Sequence, residues 1–89
     1  NKLTKIPKII FTLKNLTQLD LSENQISKIP KQINQLSQLE VLSLHNNCLK
    51  KLCPEINSCT KLSRLNLSHN SLTTLPALSA LNFLAHLDV

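Results

Sequence analysis

Few side chains in this sequence have chemical reach. They are His45, His69 and His86, Cys48, Cys53 and Cys59, and the carboxylates Asp20, Glu23 and Asp88. Three histidines invite a zinc reading, but a zinc site takes about four nitrogen or sulfur ligands arranged as a tetrahedron. These histidines share no common spacing and bring no fourth ligand. The cysteines are odd in number and form no Cys-x-x-Cys pair, which fits neither a zinc cluster nor a disulfide framework. A Cys–His nucleophile would need Cys48 with His45 or His69, and a carboxylate pair would need Asp20 with Glu23 or Asp88. Neither pairing comes with a pocket that excludes water or shifts a pKa. The chain has no glycine, so a Walker loop, a dinucleotide fingerprint and a glycine-flanked serine nucleophile are all excluded. The expectation is a chain with no catalytic residue, no cofactor and no metal.

Length and charge bound what positions these side chains. The 89 residues allow one domain. The formal net charge is +5, and all the cations except Arg64 are lysines. Nucleic-acid surfaces add arginines and stacking aromatics, and here the aromatics are Phe11 and Phe83 alone, so no nucleic-acid partner is expected. No apolar run approaches the roughly 20 residues of a membrane span. No stretch has the charged-then-apolar form of a secretory leader.

A repeat organises the chain. Asn1, Asn24, Asn47 and Asn70 recur every 23 residues, and Leu16, Leu39 and Leu62 keep the same step. Full repeats start at residues 16, 39 and 62, with partial repeats at both ends. The last full repeat lacks one residue between Pro76 and Leu81. Leu16, Leu19 and Leu21 end in strict alternation, the mark of a short strand with one buried face. Ile26, Ile29 and Pro30 follow, and proline stops the strand and suits the first position of a helical turn. Ile33 and Leu36, three apart, fit a 3₁₀ or helical turn packing inward. One repeat is thus a strand, a sharp turn, an irregular return and a turn back. No single repeat buries its own leucines, so stacking must supply the core.

This pattern resembles the leucine-rich repeat family, L-x-x-L-x-L-x-x-N-x-L, over the whole chain. The tail Ile29, Pro30, Ile33, Leu36 is similar to the 23-residue class found in intracellular scaffolds of the Ras-suppressor and Scribble kind and in bacterial members. The second repeat departs from the pattern: Cys53 holds the proline place, Pro54 follows it, and Cys59 replaces a core leucine. The resemblance implies an α/β solenoid. This would be a right-handed superhelix, a horseshoe segment, with a parallel sheet on its concave face and short 3₁₀ or irregular segments on the convex side. Residues 1–89 would form one such segment. The chain opens on the repeat's asparagine and stops in mid-strand without polar caps, so a piece of a longer solenoid is expected.

Alternation assigns the faces. Leu19, Leu21, Leu42, Leu44, Leu65 and Leu67 point inward. The residues between them form outward ladders: Gln18, Val41, Arg64, His86; then Asp20, Ser43, Asn66, Asp88; then Ser22, His45, Ser68. A last ladder at the strand ends is Glu23, Asn46, His69. The resemblance implies that a protein partner docks on these concave residues, with Val41 beside Arg64 the strongest contact. An alternative is the recognition or regulatory region of an enzyme whose kinase, GTPase, phosphatase or ubiquitin-ligase domain lies elsewhere. Lys5, Lys28 and Lys51 share one return-side position, and Lys8 and Lys31 share another. They read either as a solubilising rim or as a weak contact for an anionic surface, and salt separates the two. The asparagine series, Asn1, Asn24, Asn47 and Asn70, reads as a structural ladder that satisfies backbone groups. Cys59 reads as a small core residue and Cys48 as exposed. Unpaired thiols point to a reducing, cytoplasmic setting, with a secreted effector as the alternative.

Overall fold

A computed structural model describes residues 3–89. It shows a parallel solenoid. Four three-residue strands, β1 (Gln18–Asp20), β2 (Val41–Ser43), β3 (Arg64–Asn66) and β4 (His86–Asp88), form one sheet in the order β1-β2-β3-β4. Three 3₁₀ helices, η1 (Lys8–Thr12), η2 (Lys31–Gln35) and η3 (Pro54–Ser58), line the return side. The register is uniform: Gln18 pairs with Val41, Val41 with Arg64, and Arg64 with His86.

The core lies between the sheet and the return segments. Leu42, Leu44, Leu65 and Leu67 are all at most 1% exposed, and Ile26, Ile33, Leu36, Leu39, Ile56 and Leu62 are fully buried behind them. Packing fades toward both ends. Leu19 is half-buried on β1, and Leu87 on β4 is exposed. A leucine inside the stack is covered by a repeat on each side, whereas these two have a neighbour on one side only.

Each return begins at an extended residue that aims the chain across the core. Pro7 and Pro30 hold this place, with φ values of −58° and −72°. Proline therefore precedes the 3₁₀ turn in those repeats and does not open it. In the third return Cys53 takes the same conformation, with φ −73°, and Pro54 becomes the first helical residue. Each turn closes at Leu13, Leu36 or Cys59 with ψ between 61° and 69°, an inverse γ-turn that swings the chain back to the sheet. The shortened fourth return loses the 3₁₀ helix. It keeps the later bonds, Leu81 N–H to Leu78 C=O and Leu84 N–H to Leu81 C=O, so the leucines stay in place for β4.

The turn after each of β1, β2 and β3 takes a positive φ: 57° at Glu23, 57° at Asn46 and 56° at His69. Glycine is the usual residue there, and this chain has none. Cross-repeat backbone bonds hold the geometry, with Glu23 N–H donating to His45 C=O (2.9 Å) and Asn46 N–H to Ser68 C=O (3.0 Å). Asparagine tolerates this region better than glutamate. Replacing Glu23 by Asn is therefore expected to stabilise the fold by about 0.5–1 kcal/mol in denaturant melts. Asn46→Val is expected to destabilise it.

Candidate interaction surface

The outward ladders form one continuous sheet face. Gln18, Arg64 and His86 are exposed along one line, with Val41 half-buried among them. Asp20 and Asp88 are exposed at the two edges of the next line, and Ser43 and Asn66 lie half-buried between them. A shallow depression of ≈ 300 Å³ runs across β2, β3 and β4, bordered by Val41, Ser43, Arg64, Asn66, His86 and Asp88.

Polar side chains along this face are tied to one another. The Asp20 carboxylate accepts from the Ser22 hydroxyl (2.6 Å) and the Ser22 N–H (3.0 Å). These two bonds hold the Asp20 carboxyl below its usual range. Two repeats on, Asn66 Oδ1 accepts from the Ser68 hydroxyl (2.7 Å) and N–H (3.0 Å) in the same way. The middle repeat varies the theme: Ser43 Oγ lies 2.8 Å from His45 Nδ1. Asn66 Nδ2 lies 3.5 Å from the same nitrogen. Ser68 fixes the orientation of the Asn66 amide, so Nδ2 faces His45 as a donor. In the neutral tautomer protonated at Nε2, His45 Nδ1 accepts from both the Ser43 hydroxyl and Asn66 Nδ2. Ser22, His45 and Ser68 thus support the middle ladder more than they project from it.

The remaining residues of interest lie elsewhere. Glu23, Asn46 and His69 sit on the tight turns at the strand ends. Asn24, Asn47 and Asn70 point into the core edge and bond backbone groups. Asn1 lies outside the described residues. Among the described residues no group of three or more His, Cys, Asp or Glu is placed to hold a metal ion. Nor is any helix long and apolar enough to cross a membrane. A second concavity, which the repeat pattern did not single out, opens on the return side between the first two repeats. Phe11, one of its lining residues, stands where the next two repeats have Asn34 and Asn57.

Comparison with known proteins places this geometry. A family model described as "Leucine rich repeat" matches residues 1–49, and a second, "Leucine Rich Repeat", matches residues 61–83. The chain belongs to the leucine-rich repeat family, whose domains generally serve as protein-interaction modules. A solved structure of a leucine-rich-repeat protein from Leptospira interrogans superposes with a TM-score of 0.90 at 41% identity over 97% of this chain. This chain spans 22% of the length of that protein. A search of curated proteins gives no match.

The three thiols differ in environment. Cys48 is exposed, Cys53 is half-buried and Cys59 is buried. Burial, with Cys53 adding to it, pushes the Cys59 thiol up to about 11 from an ordinary 9.0. A raised folded-state pKa favours the neutral thiol. The Cys59 contribution to stability is therefore complete below pH 9.0 and is lost as pH climbs toward about 11. Chemical denaturation between pH 8 and 11 is expected to show this decline, and Cys59→Ala, though less stable throughout, is expected to decline less steeply. A disulfide-exchange reagent at neutral pH is expected to label Cys48 rapidly and Cys59 only after unfolding.

Proposed function

We propose that the sheet face of this solenoid docks a protein partner, with Val41 and Arg64 as its centre and Gln18, His86 and the Asp20–Asp88 line around them. The observation that supports this most is the uniform register. It stacks side chains from four strands into fixed rows, with an apolar Val41 directly beside the exposed Arg64 guanidinium. An apolar side chain next to an arginine at the centre of a polar field is the composition that carries energy in protein interfaces. Short strands fixed at both ends by turns hold these rows rigid before binding, which lowers the ordering cost of association. A role in scaffolding or signalling, in a reducing compartment, belongs to the same reading. It is supported by the resemblance to scaffold-type repeats and by the unpaired cysteines.

Crosslinking tests this. A photo-reactive residue placed at Gln18 or His86 is expected to capture a partner that the same residue placed at Lys31 on the return side does not. Val41→Asp combined with Arg64→Glu is expected to weaken that partner by at least about 2 kcal/mol, roughly thirtyfold. Equal binding by parent and double variant would remove the sheet face from the interface.

A further inference from the structure

The return segments do not pack evenly along the solenoid. η1 lies against η2 less closely than η2 lies against η3. The gap between the first two repeats is a cavity of ≈ 500 Å³. That is within the size range of small-molecule sites.

Its lining divides into two parts. Ile6, Phe11 and Pro30 supply its apolar part: Ile6 and Phe11 are core side chains, 5% and 7% exposed, and Pro30 is half-buried. Lys5, Lys8 and Lys28 stand around it, and Thr4 and Ser27 add hydroxyls. Among the described residues no aspartate or glutamate lines it. Lys5 and Lys28 occupy the same position in successive repeats, so stacking sets the two residues side by side, and the described lining holds no anion to offset their charge. Lys51, the next in that series, lies outside the cavity, where it bridges to Thr74. Like charges gathered over an apolar, aromatic surface are complementary to a ligand with the opposite arrangement.

We propose that this cavity binds a small organic anion with a flat apolar body, of the aryl phosphate or aryl carboxylate class. The ring lies against Phe11, Ile6 and Pro30. The anionic group meets Lys5 and Lys28, with Lys8 closing the charge field from η1. Ammonium–anion attraction supplies orientation, and burial of the ring supplies affinity that a bare anion lacks. The site is independent of the sheet face.

Isothermal titration of the whole protein with 2-naphthyl phosphate at low salt tests the proposal. Saturable binding with a sub-millimolar Kd is expected. Lys5→Glu with Lys28→Glu, both at exposed positions, is expected to weaken it at least tenfold, and Arg64→Glu on the sheet face is expected to leave it unchanged. Neutral 2-naphthol and inorganic phosphate are each expected to bind at least tenfold more weakly, since each satisfies half of the lining. Absence of saturable binding at millimolar ligand would overturn the proposal. So would equal affinity in the Lys5/Lys28 variant, loss of binding in Arg64→Glu, or equal affinity for 2-naphthol.

Discussion

The fold depends on one asparagine per repeat. A strand that ends after three residues and turns through a positive φ leaves backbone carbonyls and N–H groups facing the core edge without ladder partners. Asn47 answers for them on both sides of a repeat boundary. Its Nδ2 donates to Leu44 C=O in its own repeat and to Leu21 C=O in the previous one, both at 3.0 Å. Its Oδ1 accepts from Ile26 N–H at 3.0 Å. Asn70 repeats this one step on, with Leu44 C=O, Leu67 C=O and Leu49 N–H. Asn24 accepts from Leu3 N–H in the same way. The carbonyls of Leu21 and Leu44 are therefore shared by two asparagines, whereas each of the N–H groups depends on one. An amide is the side chain that donates and accepts at once over this reach. Asn47 is accordingly the one buried polar side chain among the described residues.

That constraint shapes the surfaces. Because the asparagines hold every turn in the same place, the strands stack in strict register and the outer residues fall into rows. Each row is a column of one repeat position, so its chemistry is set by substitutions every 23 residues. The sheet face mixes apolar, cationic and anionic groups in this way. The return side accumulates lysine instead, and where the return packing loosens beside Phe11 the lysines surround a cavity. The two faces are separate products of one spacing, which lets them carry separate ligands.

Much of this was legible in the residue pattern. The period set the strands, their parallel order and the register, because a 23-residue step leaves one way to stack the leucines. Several features were not legible. The positive φ at Glu23 and His69 carries no glycine to announce it and comes from the closure of the turn. Proline was expected to open the 3₁₀ turn, but Pro7 and Pro30 sit just ahead of it, because the extended cap residue is where a fixed φ has most effect. The last repeat is one residue short by sequence, but the cost, a lost 3₁₀ helix with later hydrogen bonds kept, depends on what the core leucines demand. The cavity depends on how closely two return segments approach, which no period reveals. On the sheet face the rows were readable, whereas the bonds that tether Asp20 to Ser22 and His45 to Ser43 required the local turn geometry.

Amide hydrogen exchange in Asn47→Ala tests the asparagine ladder most directly. Ile26 N–H loses its acceptor, while Leu21 and Leu44 each keep another asparagine as donor. The expected result is a stability loss of about 1–3 kcal/mol with a selective loss of protection at Ile26, while Leu49, held by Asn70, stays protected up to global unfolding. Unchanged stability together with unchanged protection at Ile26 would contradict the ladder as the element that binds one repeat to the next.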